Sequence, residues 1–440
     1  MIKMPLDEVF KIYEQQAAKE GLSLRPGWQQ CLINDLKNSD NTAKISGNIV
    51  MKFDPAQGLI WLAEEKDKTN IYYYFKKDYS FSEEIITRYF LSLKTKPFII
   101  LTGISGTGKT KIAQIFANYM CQDDKSQIAF VPVRPDWMDN RGLLGYFNPL
   151  NECYHATPTL HLLLAAKQNP NKPYFLILDE MNLAKVEYYF SDFLSILETR
   201  TASDSDGESL LLHDLEEVAA YGNDSLKIPG KLKIPSNIYI TGTVNVDETT
   251  YMFSPKVLDR ANVIEFNQIY LDGFSEKEEN NFQLKNADVR ASLLTDGVTS
   301  CSIEDYKKAG KIVNVLPELI QRLEKYHLHF GYRVANEISR FMWLAQEMVH
   351  DFQADTALDI QLLQKVLPKF HGTRAKLDKP LQELLTFCYD SDPNKSIDIS
   401  EEKIKQAEQF DTSARFPRTA QKLARMLRNL REQGYASFIE

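Results

Sequence analysis

Residues 98–110 read FIILTGISGTGKT, an apolar run that breaks into a glycine-rich loop. Gly103, Gly108, Lys109 and Thr110 meet the spacing G-x-x-x-x-G-K-[ST]. This feature limits the fold more than any other, because the loop works only between a buried strand and the start of a helix. Backbone N–H groups of Ser105, Gly106 and Thr107 then wrap a phosphate, and the helix N-terminus behind them adds partial positive charge. Lys109 is placed to reach the outer phosphates, and the Thr110 hydroxyl is a hard oxygen donor suited to Mg²⁺. A helical pattern, KIAQIFANYM, follows at residues 111–120. The chain is therefore expected to bind a nucleotide.

A second element lies about 70 residues further on. At residues 174–180, YFLILDE, an apolar strand pattern ends in Asp179 and Glu180. Opposite a phosphate loop, the strand-end Asp179 would help hold Mg²⁺ and Glu180 would act as general base on the attacking water. At the end of a third apolar run, residues 237–245, Asn245 is placed to orient that water or the terminal phosphate. Arg260 precedes the last strand-like run, at the edge of the expected sheet, where it can serve as a finger in a neighbouring subunit's site. Arg134 and Arg141, flanking Trp137 after the second strand, are candidates for contact with DNA in a pore.

The chain of 440 residues has length enough for about three domains. Five apolar runs, at residues 98–102, 128–133, 174–178, 238–242 and 263–266, predict buried parallel strands separated by helices. The expected fold class is α/β: a P-loop core with a five-stranded parallel sheet over residues 91–270, a connector and an all-helical lid over 271–440, and a small α+β module over 1–90. In the module, a helix is expected at 9–19 and strands at 45–53, 59–63 and 71–75. Residues 204–233 are expected to form a polar surface insertion. Helices are expected in the lid at 315–325, 334–350, 359–367, 380–389 and 418–433.

Charged residues make up 25% of the chain and the net charge is −8, so attraction to nucleic acid must come from a local patch. No run approaches the roughly 20 apolar residues of a membrane span, and the first residues lack an apolar signal core. Five scattered cysteines without a C-x-x-C pair suit a reducing cytoplasm. Lys422, Arg425, Arg428 and Arg431 recur every three residues, which predicts a solvated basic helix face, with contact to phosphate or a partner as the alternative.

Together these segments resemble the AAA+ NTPases of the McrB type, the motor subunits of modification-dependent restriction systems. The likeness runs over residues 90–435 and rests on LTGISGTGKT, VRPDWMDNRGLLG (133–145), LDEMNLA (178–184), GTVNVDETT (242–250) and FGYRVANEISRF (330–341). It implies a hexameric ring, nucleotides at subunit interfaces with Arg260 acting in trans, and Arg333 as the lid arginine that senses the terminal phosphate. It also implies Mg²⁺-dependent GTP or ATP hydrolysis driving DNA cleavage by a separate McrC-like nuclease subunit, since this chain shows no nuclease core of its own. The GTP-linked Met-Asn-x-x-Asp-Arg signature is replaced here by VNVDE at 244–248, so the choice between GTP and ATP stays open. A competing reading with the same catalytic residues is an AAA+ remodeller of protein complexes, like MoxR or dynein-related relatives.

Overall fold

The computed structural model describes residues 81–122, 124–200, 207–246, 251–267, 303–310, 314–349, 352–389 and 399–439, with short stretches between 2 and 76 and residues 293, 294 and 301. It divides into two compact units, Met1–Lys77 with Glu278–Gln283 and Asp78–Lys277 with Leu284–Glu440. The helix Glu83–Thr95, which spans the expected module boundary at residue 90, belongs to the second unit.

The first unit contains an antiparallel sheet of β1 (Ile2–Met4), β2 (Thr42–Ser46), β3 (Ile49–Asp54) and β4 (Leu59–Glu64), in the order β1-β4-β3-β2. The strand expected at 71–75 is instead the helix Ile71–Lys76. Aromatic residues favour strands only where a neighbouring strand offers a pleated surface to pack on. Here Phe75 is buried from a helix. The helix expected at 9–19 lies largely outside the described residues.

In the second unit, five strands form the parallel sheet: β5 (Phe98–Gly103), β6 (Ile128–Pro132), β9 (Tyr174–Asp179), β14 (Ile238–Asn245) and β15 (Asn262–Glu265). Their order is β15-β5-β14-β9-β6, and every neighbouring pair is parallel. Helices cover both faces, which is why β5 is buried at all six positions and reads as an unbroken apolar run. Each of Phe98, Ile99, Ile100 and Leu101 contributes about 1.5–3 kcal/mol by leaving water. All five strands start at one end of the sheet and finish at the other, so the loops after β5, β9 and β14 meet on one edge.

The polar surface insertion expected at residues 204–233 contains strands that the sequence pattern does not announce. Its described part builds β10 (Ser209–Leu211), β11 (Glu217–Ala220), β12 (Asn223–Pro229) and β13 (Lys231–Lys233). β11 and β12 join β7 (Gly145–Asn148) and β8 (Cys153–Ala156) in a second sheet, ordered β12-β11-β8-β7. The apolar positions that anchor it, Leu210, Val218, Ile228 and Leu232, alternate with polar ones and are buried. Period-2 alternation is weak where most residues are charged or polar, and so the sequence shows the segment's polarity but not its strands.

The C-terminal region is helical: Ile303–Ala309, Leu316–Glu324, Tyr332–Met348, Ala354–Gln361, Arg374–Tyr389, Glu401–Glu408 and Pro417–Gln433. It is not all-helical, since β16 (His371–Thr373) pairs with β17 (Tyr435–Ser437). Two boundaries differ from expectation. The helix at 359–367 ends as α-helix at Gln361 and continues as a π turn, Leu362–Val366. There Lys365 donates to the carbonyls of Asp259 (3.2 Å) and Ala261 (2.9 Å). Pro380, expected to open a helix, lies inside one that starts at Arg374.

Candidate functional site

The phosphate loop leaves β5 at Gly103, whose φ of +153° and crowded surroundings exclude a side chain. A Cβ there would stand 2.4 Å from the Phe266 carbonyl oxygen. At Gly108 the chain turns through φ +98° into the helix Lys109–Cys121. Lys109 is buried, and its ammonium donates to the carbonyls of Gly103 (2.9 Å) and Ile104 (2.6 Å). Ser105 and Gly106 are exposed, and Thr107 donates to the Ile104 carbonyl at 2.9 Å. The loop thus presents its backbone outward at a helix N-terminus, a ready anion site.

Because β9 and β14 lie side by side, their ends deliver four polar side chains to this loop. The Asp179 carboxylate accepts from the Thr110 hydroxyl at 2.7 Å and from the Thr243 hydroxyl at 2.8 Å, both on Oδ1. Thr243 also accepts from the Glu180 backbone N–H at 3.1 Å. Asn245 donates from Nδ2 to Glu180 Oε1 at 3.3 Å. Glu180 itself sits at φ +53°, a left-handed conformation that non-glycine residues adopt mainly where neighbours impose it, often at functional sites. Thr110, Asp179, Glu180 and Asn245, picked from separate motifs, therefore converge. Thr243 was missed, because a threonine inside an apolar strand has no signal beyond β-propensity.

The donor set suits Mg²⁺ rather than a softer ion. One carboxylate and threonine hydroxyls supply hard oxygen, leaving the remaining positions for phosphate and water. Among the described residues no cluster of three or more His, Cys, Asp or Glu forms an all-protein metal cage.

Beside the loop opens a cavity of about 460 Å³ lined by Phe81, Phe266, Asn267, Arg418, Lys422 and Arg425, among others. It adjoins the loop directly: Ile104 N–H donates to Asn267 Oδ1 at 3.2 Å, and a Cβ on Gly108 would come 3.2 Å from the Phe81 ring. Lys422 donates to Glu265 at 2.9 Å and Arg418 grips Glu84 with two bonds, of 2.8 and 2.6 Å. Asp359 fixes the start of the helix carrying these cations, accepting from the Arg418 and Thr419 N–H groups at 3.0 and 2.8 Å. Exposed Arg425 has no ion-pair partner among the described residues. The basic row thus splits. Lys422 and Arg425 face the cavity, whereas Arg428 and Arg431 pair with Glu408 and Glu401 on the surface, as a solvated face would.

Arg260 and Arg333 lie elsewhere. Asn262 is level with Ile99 and Glu265 with Thr102, so Arg260, ahead of β15, sits where the strands begin. That is about 13 Å or more from the Gly103 end. It pairs with Glu198, not with the adjacent Asp259. Arg333 joins the same cluster, bonding Glu198 at 2.5 Å and also Asp259. Lys369 completes it on Asp259. Burial alone would raise the Asp259 carboxyl, but Lys369, Arg333 and Lys365 hold it down at about 2. Arg333 is thus brought to Arg260, not to the phosphate loop.

Arg134 and Arg141 are exposed, Arg141 beside Asp139 at 3.4 Å. Trp137 is half-buried, edge-on to Tyr189 with centroids 5.3 Å apart, and close against Gly142. It packs as a core-edge residue rather than as an exposed contact. Residues 247–250 of the GTVNVDETT segment lie outside the described residues. No helix among the described residues is long and apolar enough to cross a membrane.

A family model described as a domain of unknown function (DUF8727) matches residues 283–435, the helical region. No curated protein matches the chain. Among solved structures, a protein from Cytophaga hutchinsonii ATCC 33406 described as a proposed ATPase is similar at 14% identity and a TM-score of 0.36, over 61% of this chain and 76% of that one. NtrX from Brucella abortus, in complex with ADP, is similar at 9% identity and a TM-score of 0.22, over 80% of this chain and 65% of that one. At those scores neither likeness bears on the reading that follows.

Proposed function

We propose that this chain is a Mg²⁺-dependent AAA+ NTPase whose hydrolysis drives work on a partner. The observation that carries the reading is the Asp179 carboxylate bonded to the hydroxyls of both Thr110 and Thr243, with Glu180 and Asn245 beside it. The loop N–H groups and Lys109 take the outer phosphates, the ammonium turning from the Gly103 and Ile104 carbonyls. Thr110 and Asp179 would hold Mg²⁺, which when bound neutralises charge on the phosphate oxygens. Glu180 accepts the proton of the attacking water, and Asn245 fixes the carboxylate. The cavity lined by Phe81 and Phe266 takes the base and ribose. Arg425, which lines that cavity, rather than Arg333 is the lid cation on the nucleotide's side of the subunit. Arg260 acts on a neighbouring copy, which the ring assembly implied by the McrB resemblance supplies.

The finer reading is an McrBC-like restriction motor. It forms a hexameric ring, hydrolyses GTP or ATP, and licenses DNA cleavage by a separate nuclease subunit, with Arg134 and Arg141 as DNA contacts. Its support is the resemblance over residues 90–435 together with the absence of a nuclease core in the sequence. A MoxR-like remodeller of protein complexes shares every catalytic residue. The test is phosphate release from GTP and ATP side by side, with and without duplex DNA. A DNA-stimulated rate supports the restriction motor. ATP turnover that is indifferent to DNA supports the remodeller, and no turnover with either nucleotide refutes both.

A further inference from the structure

Arg260 ends the helix Pro255–Arg260, and Arg333 stands in the first turn of Tyr332–Met348. Nothing in the sequence joins them, yet each bonds a different oxygen of one carboxylate: Arg260 the Oε2 of Glu198, Arg333 its Oε1. Glu198 itself sits in the last turn of Ser191–Thr199. Its side chain is 43% exposed, against 21% for Arg260 and 34% for Arg333, so the group lies at the rim of the protein. Two guanidinium groups this close repel one another unless a carboxylate lies between them. Among the described residues Arg260, Arg333 and Lys369 pair with Glu198 and Asp259; Glu337 also acts on Arg333 but is shared between Lys96 and Lys365, so cations outnumber carboxylates and surplus positive charge remains at the surface. Such a cluster is matched to a polyanion. The chain's own phosphate loop lies at the opposite end of the strands, so the phosphates must come from outside the subunit.

We propose that Glu198 is a positioning residue that presets Arg260 and Arg333 as a two-guanidinium clamp on the nucleotide phosphates of a second copy of this chain. The inference rests on the reading of Arg260 as acting in trans. Arg333 then works from the helical region as a second trans arginine, and Glu198 fixes the spacing of the pair without touching nucleotide.

The experiment uses the full chain and steady-state hydrolysis of whichever nucleotide it turns over. Glu198→Gln and Arg333→Gln should each lower kcat on the order of tenfold or more, as misplacement of a catalytic group does. KM should hold, since each subunit binds nucleotide through its own loop and cavity. Glu198→Asp, which keeps the charge on a shorter stem, should fall between wild type and Glu198→Gln. Each variant is also mixed with Glu180→Gln, which keeps its arginines but cannot turn over, and mixing should restore activity to Arg260→Ala, Arg333→Gln and Glu198→Gln alike. Unchanged kcat in Glu198→Gln overturns the proposal, as does a raised KM with kcat kept. Rescue of Arg260→Ala without rescue of Arg333→Gln also overturns it, because Arg333 then serves its own subunit. If Arg260→Ala itself is not rescued, the trans reading fails first. Thermal melts of each variant separate these outcomes from loss of fold, and should Glu198→Gln unfold, Arg333→Gln and Glu198→Asp carry the same test.

Discussion

At the ends of β9 and β14, the Asp179 carboxylate shares one oxygen between the hydroxyls of Thr110 and Thr243, and Thr243 in turn accepts from the Glu180 N–H. Thr243 thus ties the Asp179 side chain to the Glu180 backbone. Thr243→Val keeps the shape and removes both bonds. Turnover should fall about 10–100-fold with nucleotide affinity little changed, the usual effect of losing a group that orients a metal ligand. Single-turnover and binding measurements on the same preparation decide this, and unchanged turnover would make Thr243 a simple spacer. Glu180→Gln removes the base while Asn245 keeps an acceptor. It should bind nucleotide normally and lose roughly 10²–10⁴ in rate. Equal phosphate release from mutant and wild type would remove Glu180 from the mechanism.

Among the elements, the helix Tyr332–Met348 is joined to the start of β5 by a buried charge triad. Glu337, 3% exposed, lies between Lys96 and Lys365, at 2.5 Å from each. Burial pushes the Glu337 carboxyl up, but the two lysines outweigh it and hold the group below its usual range. Glu337→Gln would leave two buried ammonium groups sharing a neutral amide. A loss of about 3–5 kcal/mol is expected, read as a lower urea midpoint at an unchanged slope. A shift under ~1 kcal/mol would mean that water or backbone carbonyls already satisfy the lysines. The sequence pattern finds this helix but not the triad, whose members stand at positions 96, 337 and 365 and meet only through packing. The π turn at Leu362–Val366 likewise carries Lys365 to the carbonyls of Asp259 and Ala261, partners about 100 residues away along the chain.

For the whole molecule, the meeting of core and helical region carries a carboxylate whose stabilisation is sensitive to acid. The Asp259 carboxyl, at about 2 against an ordinary 3.8, is lower when folded than unfolded. Its contribution to stability is therefore complete above about pH 4 and is lost as pH falls through 2. Asp259→Asn should lower the melting temperature near neutral pH and flatten its fall below pH 4. A parallel acid limb in mutant and wild type would show that Asp259 does not govern it.

The order of residues alone determined that five apolar runs become a buried parallel sheet, and that Gly103, Gly108, Lys109 and Thr110 form a glycine-rich turn from strand into helix. Each of those features is local: continuous apolarity specifies a strand covered on both faces, and a glycine at positive φ specifies a turn. The same locality made residues 71–75 resemble a strand and left the strands within 204–233 unread, because aromatic content and polarity do not say which neighbour a segment packs on. Tertiary structure decided everything that required two distant segments to meet. It brought Thr243 to Asp179, placed Lys422 and Arg425 on the cavity beside the loop, and drew Arg333 away from that loop to Glu198 and Arg260. A side chain's role depends on the field and partners around it, and those are set by the order of strands in space rather than along the chain.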